Sequence, residues 1–370
     1  MRILILANND VGLYRFRREL IERLLAVYEV YISLPQGEFV DPLVKLGCRY
    51  IKTQFDRRSI NPINDLKLLF AYIRMIKKCD PEIVLTYTIK PNVFGGIACR
   101  VTGKPYISNI TGLGTSIENE GFLKVITLML YRISLKNSDC IFFQNRPNCD
   151  LFIKEKITQS RTRVIPGSGV NLSVHKLEEY PSEECELRFL FIGRVMKDKG
   201  IEELLEGAQK VKAFFPQVRF NIVGECDEDY YEILHVSEQM GIIHYYGQQS
   251  DIHSFIKESH CTVLPSYHEG TANVLLESAA TGRPVITTRV PGCAETFDEG
   301  ISGFGCTARD VNSLVDAIVR FIKLPRKQKV EMGLAGRKKM ERQYDRNIVI
   351  NAYTEEITKL NGRGLGNVTL

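Results

Sequence analysis

Arg188-Phe189-Leu190-Phe191-Ile192-Gly193-Arg194-Val195-Met196-Lys197-Asp198-Lys199-Gly200 is the stretch that decides the architecture of this chain. Its apolar run reads as a strand buried on both faces, and the glycine- and lysine-bearing turn hands that strand to a helix over about 200–214. What precedes it matters as much. Residues 170–187 are polar, acidic and interrupted by Pro181, and they are the best candidate linker. A strand–helix rhythm therefore restarts at Arg188, which marks a second domain.

Toward the N-terminus, the same rhythm reads as strands at 2–7, 31–35, 83–88, 106–110 and 140–144. Leu13, Phe16, Leu20, Ile21, Leu24 and Leu25 recur at helical spacing between the first two. Asn61-Pro62 opens another helix, whose apolar face is expected to be Ile63, Leu66, Leu69, Phe70, Ile73 and Ile76. Toward the C-terminus, strands are expected at 218–224, 242–247, 261–265 and 284–288. Helices are expected at about 200–214, 230–240, 271–281, 310–323 and 326–343. Ile348, Ala352, Ile357 and Leu360 mark a last helix. Alternating strands and helices imply an α/β protein with parallel, doubly wound sheets. The expected domains are 1–168, 169–345 and a C-terminal helix, 346–370, packing back on the first domain. Such sheets bind ligands at the carboxyl ends of their strands, so a cleft between two of them is the expected site.

The 370 residues are 44% hydrophobic and 25% charged, which excludes collagen-like, coiled-coil and largely disordered chains. No uncharged apolar run approaches the ~20 residues of a membrane span. Residues 125–131 are of buried-element length, and core is their commoner reading over contact with lipid tails. Residues 1–7 are too short for a signal peptide, so a cytoplasmic protein is expected. The ten cysteines are scattered without a Cys-x-x-Cys pair, which fits reduced thiols rather than structural zinc. The net charge of +5 divides into +10 over residues 1–170 and −5 over the rest. A basic first half suits nucleic acid, an anionic membrane surface or a phosphorylated acceptor, or is simply solvated charge. Arg15, Arg17, Arg18, Lys77, Lys78 and Lys124 are its notable cations.

Two segments carry chemistry. In Pro265-Ser266-Tyr267-His268-Glu269-Gly270-Thr271-Ala272-Asn273-Val274-Leu275-Leu276-Glu277 a strand gives way to a helix. Small residues at Gly270, Thr271 and Ala272 leave the helix-start amides open to an anion such as a diphosphate. Glu269 precedes that start and Glu277 lies about two turns into the helix. Carboxylates offer only acceptor lone pairs, which suits sugar hydroxyls and a ribose diol. In the other segment, 191–200, Arg194 and Lys199 leave a strand end and can converge on one anion, Arg as a fork and Lys as a compact charge. Gly12, after the first strand, allows close approach of a ligand. Asp227-Glu228-Asp229 reads as an acidic helix start rather than a metal site. The chain has no Gly-x-Gly-x-x-Gly after a strand, no Gly-x4-Gly-Lys-[Ser/Thr] and no Gly-x-Ser-x-Gly.

These segments resemble the retaining glycosyltransferases of family 4, with the GT-B fold of two Rossmann-like domains facing across a cleft. The Glu-x7-Glu motif matches as Glu269 and Glu277, and Gly-Arg-x4-Lys-Gly as Gly193-Arg194 and Lys199-Gly200. Leu264-Pro265-Ser266, Gly282-Arg283-Pro284-Val285-Ile286 and Pro291-Gly292-Cys293-Ala294-Glu295 are similar as well. Leu85-Thr86-Tyr87-Thr88-Ile89-Lys90-Pro91-Asn92 and 107–114 look like bacterial capsule, O-antigen and exopolysaccharide transferases. The resemblance implies that Arg194 and Lys199 hold a diphosphate, with Gly193, Gly270, Thr271, Ala272, Asn273 and Val274 around it. It implies Glu269 on the donor sugar, Glu277 on the ribose, and Gly247-Gln248 facing the base. Many members have a His near the end of the strand at 106–110. All six His here lie beyond residue 174, and Thr111 takes that place, with Lys90 the nearest alternative cation. The implied reaction moves a hexose or N-acetylhexosamine from a UDP-sugar to a polyprenyl-diphosphate-linked saccharide. No cofactor, metal or nucleic-acid partner is implied, and contact with the inner membrane face is. The competing readings are a UDP-sugar 2-epimerase of the same architecture and a non-catalytic nucleotide-sugar-binding subunit.

Overall fold

The computed structural model describes residues 1–55, 61–112, 122–182, 186–226 and 230–365. Asp227-Glu228-Asp229, Cys185 and Leu113-Gly114 lie outside the described residues. The chain divides into two compact units, Met1–Ser168 with Asn347–Leu370, and Gly169–Arg346.

The first unit holds strands β1 (Arg2–Leu6), β2 (Glu29–Leu34), β3 (Arg49–Lys52), β4 (Ile83–Tyr87), β5 (Tyr106–Ile110), β6 (Cys140–Phe143) and β7 (Thr162–Val164). They form one parallel sheet in the order β3-β2-β1-β4-β5-β6-β7. Its helices are α1 (Asp10–Leu25), α2 (Val40–Lys45), α3 (Pro62–Cys79), α4 (Gly96–Thr102), α5 (Phe122–Leu135) and α6 (Arg146–Lys154). A π-helical turn, Pro91–Gly95, leads into α4. Alternate β1 side chains feed opposite faces, as a strand's two-residue period requires. Ile3 and Ile5 pack with α1 and with Val349, Tyr353 and Ile357, while Leu4 and Leu6 pack with Leu68, Tyr72 and Ile76 of α3.

The second unit repeats the plan with β8 (Arg188–Ile192), β9 (Arg219–Val223), β10 (His244–Tyr245), β11 (Cys261–Leu264), β12 (Val285–Thr288) and β13 (Gly303–Cys306). The order is β10-β9-β8-β11-β12-β13, again all parallel. Its helices are α7 (Ile201–Phe214), α8 (Tyr231–Gln239), α9 (Ile252–Glu258), α10 (Asn273–Ala280), α11 (Val311–Ile322) and α12 (Arg326–Lys339). The last helix, α13 (Arg346–Leu365), returns to the first unit, where Asn109 Nδ2 donates to Tyr353 Oη at 2.7 Å. Arg163 there bonds Glu355 and Glu356 at 2.9 and 2.7 Å.

Three expectations are corrected. Residues 170–187 are no free linker. Val170 and Tyr180 are buried in the second unit, and Arg283 donates to the carbonyls of Glu178 and Glu179 at 3.2 and 2.7 Å. Helix α3 buries Leu68, Tyr72, Met75 and Ile76, whereas Ile63, Leu66 and Phe70 of the expected apolar face are exposed. In 125–131, Val125, Ile126 and Met129 are exposed and only Tyr131 is a fully enclosed large side chain. Both helices carry two apolar stripes, and periodicity alone does not say which one meets the sheet. Strands β3, β7 and β13 were not foreseen; they are short, and β3 and β7 are half-exposed edges.

Candidate functional site

In each sheet the chain winds outward in both directions from a central pair, β1/β4 in one unit and β8/β11 in the other. The loops leaving such a pair diverge and open a crevice at the strands' carboxyl ends. In the second unit those loops are the two chemistry-bearing segments. Gly193, Arg194 and Lys199 follow β8, and Ser266 to Gly270 follow β11.

Backbone packing locks the loops together. Gly200 has φ +70°, and a Cβ there would stand 2.2 Å from the Pro265 carbonyl oxygen. Tyr267 N–H donates to the Asp198 carbonyl at 2.9 Å. The close approach brings Lys199 Nζ into a hydrogen-bonded ion pair with Glu269 Oε1, which also accepts from Ser266 Oγ at 2.9 Å. Gly292, at φ +82°, supports this loop from behind, because a Cβ would lie 2.4 Å from the Glu269 carbonyl oxygen. Tyr267 Oη donates to Glu203 Oε1 at 2.7 Å, and burial with that carboxylate raises the phenol's pKa. Arg194 stands exposed on the β8 loop.

Helix α10 starts beside Glu269. Its N-cap, Ala272, offers no side-chain bond, so the first-turn amides of Asn273 and Val274 lack a side-chain cap. Asn273 Oδ1 is buried without a hydrogen-bond partner. Together with the partial positive charge of a helix start, this makes a polar wall shaped for an anionic ligand carrying donors. Glu277 lies one turn into α10, not two, because the helix begins at Asn273. It is buried, and His175 Nε2 stands 3.8 Å from its Oε1, beyond hydrogen-bond reach. Burial, with His253 and Arg346 nearby, holds the His175 pKa down to about 4. Gly247 and Gln248 follow β10 in the same row of strand ends, and the Gly247 carbonyl accepts Gly224 N–H at 2.8 Å.

Gly12 and Thr111 belong to the first unit. Gly12 sits inside the first turn of α1, not in an open loop, and its N–H is taken by Asn9 Oδ1 at 2.6 Å as the helix cap. Thr111 follows β5 and is half-buried. Lys90 Nζ is held by Asp65 Oδ1 at 2.7 Å. Ser266, Asn9 and His175 carry no role assigned from the sequence. Ser266 had a signal, three positions before Glu269. His175 had none, because tertiary folding alone places it against Glu277. Thr88, just past the end of β4, has a φ of +70°, which is unusual for a β-branched residue and marks local strain. Among the described residues no group of three or more His, Cys, Asp or Glu could hold a metal ion.

Two parallel-sheet units of this order, each with a crevice at its central strand pair, define the GT-B class of α/β enzymes. The model for glycosyl transferases group 1 matches residues 176–339, and that for glycosyl transferase 4-like matches residues 2–145. The chain belongs to this glycosyltransferase family and is a hexosyltransferase. It is 28% identical to the N,N'-diacetylbacillosaminyl-diphospho-undecaprenol alpha-1,3-N-acetylgalactosaminyltransferase of Campylobacter jejuni, over 100% of both chains. It is 25% identical to the UDP-Gal:alpha-D-GlcNAc-diphosphoundecaprenol alpha-1,3-galactosyltransferase of Escherichia coli, over 71% of this chain and 72% of the other. The solved structure of Anabaena HepE in complex with UDP and glucose shares the fold. Its TM-score is 0.80 at 16% identity, over 97% of this chain and 100% of the other.

Proposed function

We propose that this glycosyltransferase moves a hexose or N-acetylhexosamine from a UDP-sugar to a polyprenyl-diphosphate-linked saccharide, with retention of anomeric configuration. It works at the cytoplasmic face of the inner membrane. The observation that carries it is the Lys199–Glu269–Ser266 cluster at the β8/β11 crevice, beside the start of α10. The undecaprenyl-diphosphate acceptors in the two relatives' names support the acceptor class.

On this reading the donor's diphosphate lies over the α10 amides, between Arg194 and Lys199. An ammonium has three donors, so Lys199 holds Glu269 and a phosphate oxygen together. Glu269 then faces the sugar, Glu277 the ribose diol, and Gly247-Gln248 the base. As the sugar–phosphate bond breaks, negative charge grows on the diphosphate and positive charge on the sugar. The two cations and the helix amides stabilise the first. The leaving phosphate takes the acceptor hydroxyl's proton on the same face, which leaves the anomeric configuration unchanged and asks for no separate base. The positive charge comes from the chain itself, so transfer persists in a chelator such as EDTA.

The test is transfer from UDP-sugars to a prenyl-diphosphate-linked N-acetylhexosamine, read by mass spectrometry. Lys199→Ala and Arg194→Ala are each expected to slow transfer about a hundredfold, a barrier increase of ~3 kcal/mol, while unfolding as the parent does. Parent-like turnover in either variant contradicts the assignment. A new UDP-sugar formed from UDP-N-acetylglucosamine without acceptor points instead to epimerisation.

A further inference from the structure

Helices α3, α4 and α5 lie side by side on one face of the first unit's sheet, α3 against α4 and α4 against α5. Six of their large apolar side chains are more than half exposed: Ile63, Leu66, Phe70, Val101, Val125 and Met129. In α3 these residues continue into cations along one stripe, since Ile63, Leu66, Lys67, Phe70, Arg74, Lys77 and Lys78 recur every three or four residues and all are exposed. The three helices carry seven Lys or Arg and one acidic residue, Asp65. Asp65 is neutralised by Lys90 and does not belong to the stripe. The opposite face of the same sheet serves as an internal control. Helices α1, α2 and α13 carry eight basic and six acidic residues. Among their described residues no large apolar side chain reaches half exposure.

We propose that the α3–α4–α5 face docks on an anionic lipid bilayer. Large apolar side chains flanked by cations and almost free of acids match a surface whose boundary is hydrocarbon beneath phosphate. A nucleic acid would leave the apolar stripe wet, and a second copy of this chain would set cation against cation. Phe70, Leu66 and Met129 enter the headgroup boundary, while Lys67, Arg74, Lys77 and Lys78 meet lipid phosphates. The choice of a lipid surface rests on the lipid-linked acceptor read above; the composition of the face does not.

The test is flotation of the full chain with vesicles of phosphatidylcholine alone or with about 30 mol % phosphatidylglycerol. Binding is expected to the anionic vesicles and to weaken with salt. Leu66→Glu/Phe70→Glu/Met129→Glu is expected to weaken it at least tenfold, and Lys77→Glu/Lys78→Glu to abolish the preference for the anionic lipid. All these positions are exposed, and unchanged thermal unfolding checks each variant. Absence of parent binding, or parent-like binding in the triple variant, overturns the proposal. So does a dimer in sedimentation that the triple variant dissolves, or displacement of vesicles by a short duplex DNA. Flotation needs no turnover, so failed transfer to every acceptor would count against the function and leave this result standing. With a short-chain, water-soluble acceptor the triple variant is expected to keep parent activity, losing it only on vesicle-embedded acceptor.

Discussion

Glu269 has three nearby constraints: the Lys199 ammonium, the Ser266 hydroxyl and the Gly292 backbone behind it. Each comes from a different stretch of chain, so the carboxylate is positioned before any ligand arrives, and little ordering remains for binding to cost. Protonation acts elsewhere. His175 and His260 are buried, and burial lowers both pKa values to about 4 from 6.5. His253, Arg346 and Asp251 face the first, and Lys329, Arg188 and Arg283 the second. His260 Nδ1 accepts the Arg188 N–H at 3.1 Å, a bond available only to a neutral ring nitrogen. Between these limits the unfolded chain binds more protons than the folded one, so stability rises with pH across the window and levels off above it. On acidification from about pH 6.5 to 4, each imidazole is expected to withdraw on the order of 2 kcal/mol. Urea midpoints measured against pH check this, with His260→Asn flattening the slope. A profile already flat in the parent would refute it.

At the scale of elements, the site depends on where two loops touch. Gly200 permits the β8 loop to lie against Pro265 in a left-handed conformation that an L side chain adopts only with strain. Gly200→Ala is expected to cost more than about 2 kcal/mol, through φ and the backbone clash together. It should also depress transfer by parting Lys199 from Glu269. Denaturant unfolding and kinetics on one preparation read both effects, and unchanged stability would show that the loops move apart freely. Glycine and lysine at this turn were legible, because a strand followed by Gly-Arg and Lys-Gly is a local pattern. The stripe that α3 buries was not. Its residues 63, 66 and 70 and its residues 68, 72, 75 and 76 are equally helical in period. The tertiary core, with Leu4 and Leu6 of β1, Val84 of β4, Tyr106 of β5 and Ala98 and Cys99 of α4, selects the second set.

Across the whole molecule, the last helix belongs to the first unit's core although it follows the second unit in sequence. Tyr353 is fully buried there, stacks with Tyr87, packs tilted against Phe142, and accepts from Asn109. Tyr353→Ala removes a large ring and leaves the Asn109 amide without that partner. It is expected to destabilise the first unit by about 3–5 kcal/mol. Hydrogen exchange at β4–β6 amides is the direct readout, and parent-like protection would mean that α13 is dispensable.

The sequence by itself determined the α/β class, the restart of the strand–helix rhythm at Arg188 and the pairing of Gly-Arg…Lys-Gly with Glu-x7-Glu. These are short-range patterns of apolar period and turn chemistry, each contained within about one strand and one helix. Tertiary structure alone decided that Arg283 ties residues 178 and 179 of the expected linker into the second unit. It likewise set His175 against Glu277 and turned Ile63, Leu66 and Phe70 outward. Those outcomes depend on which surfaces compete for the same core, and that competition joins residues far apart in the chain, where no local pattern records it.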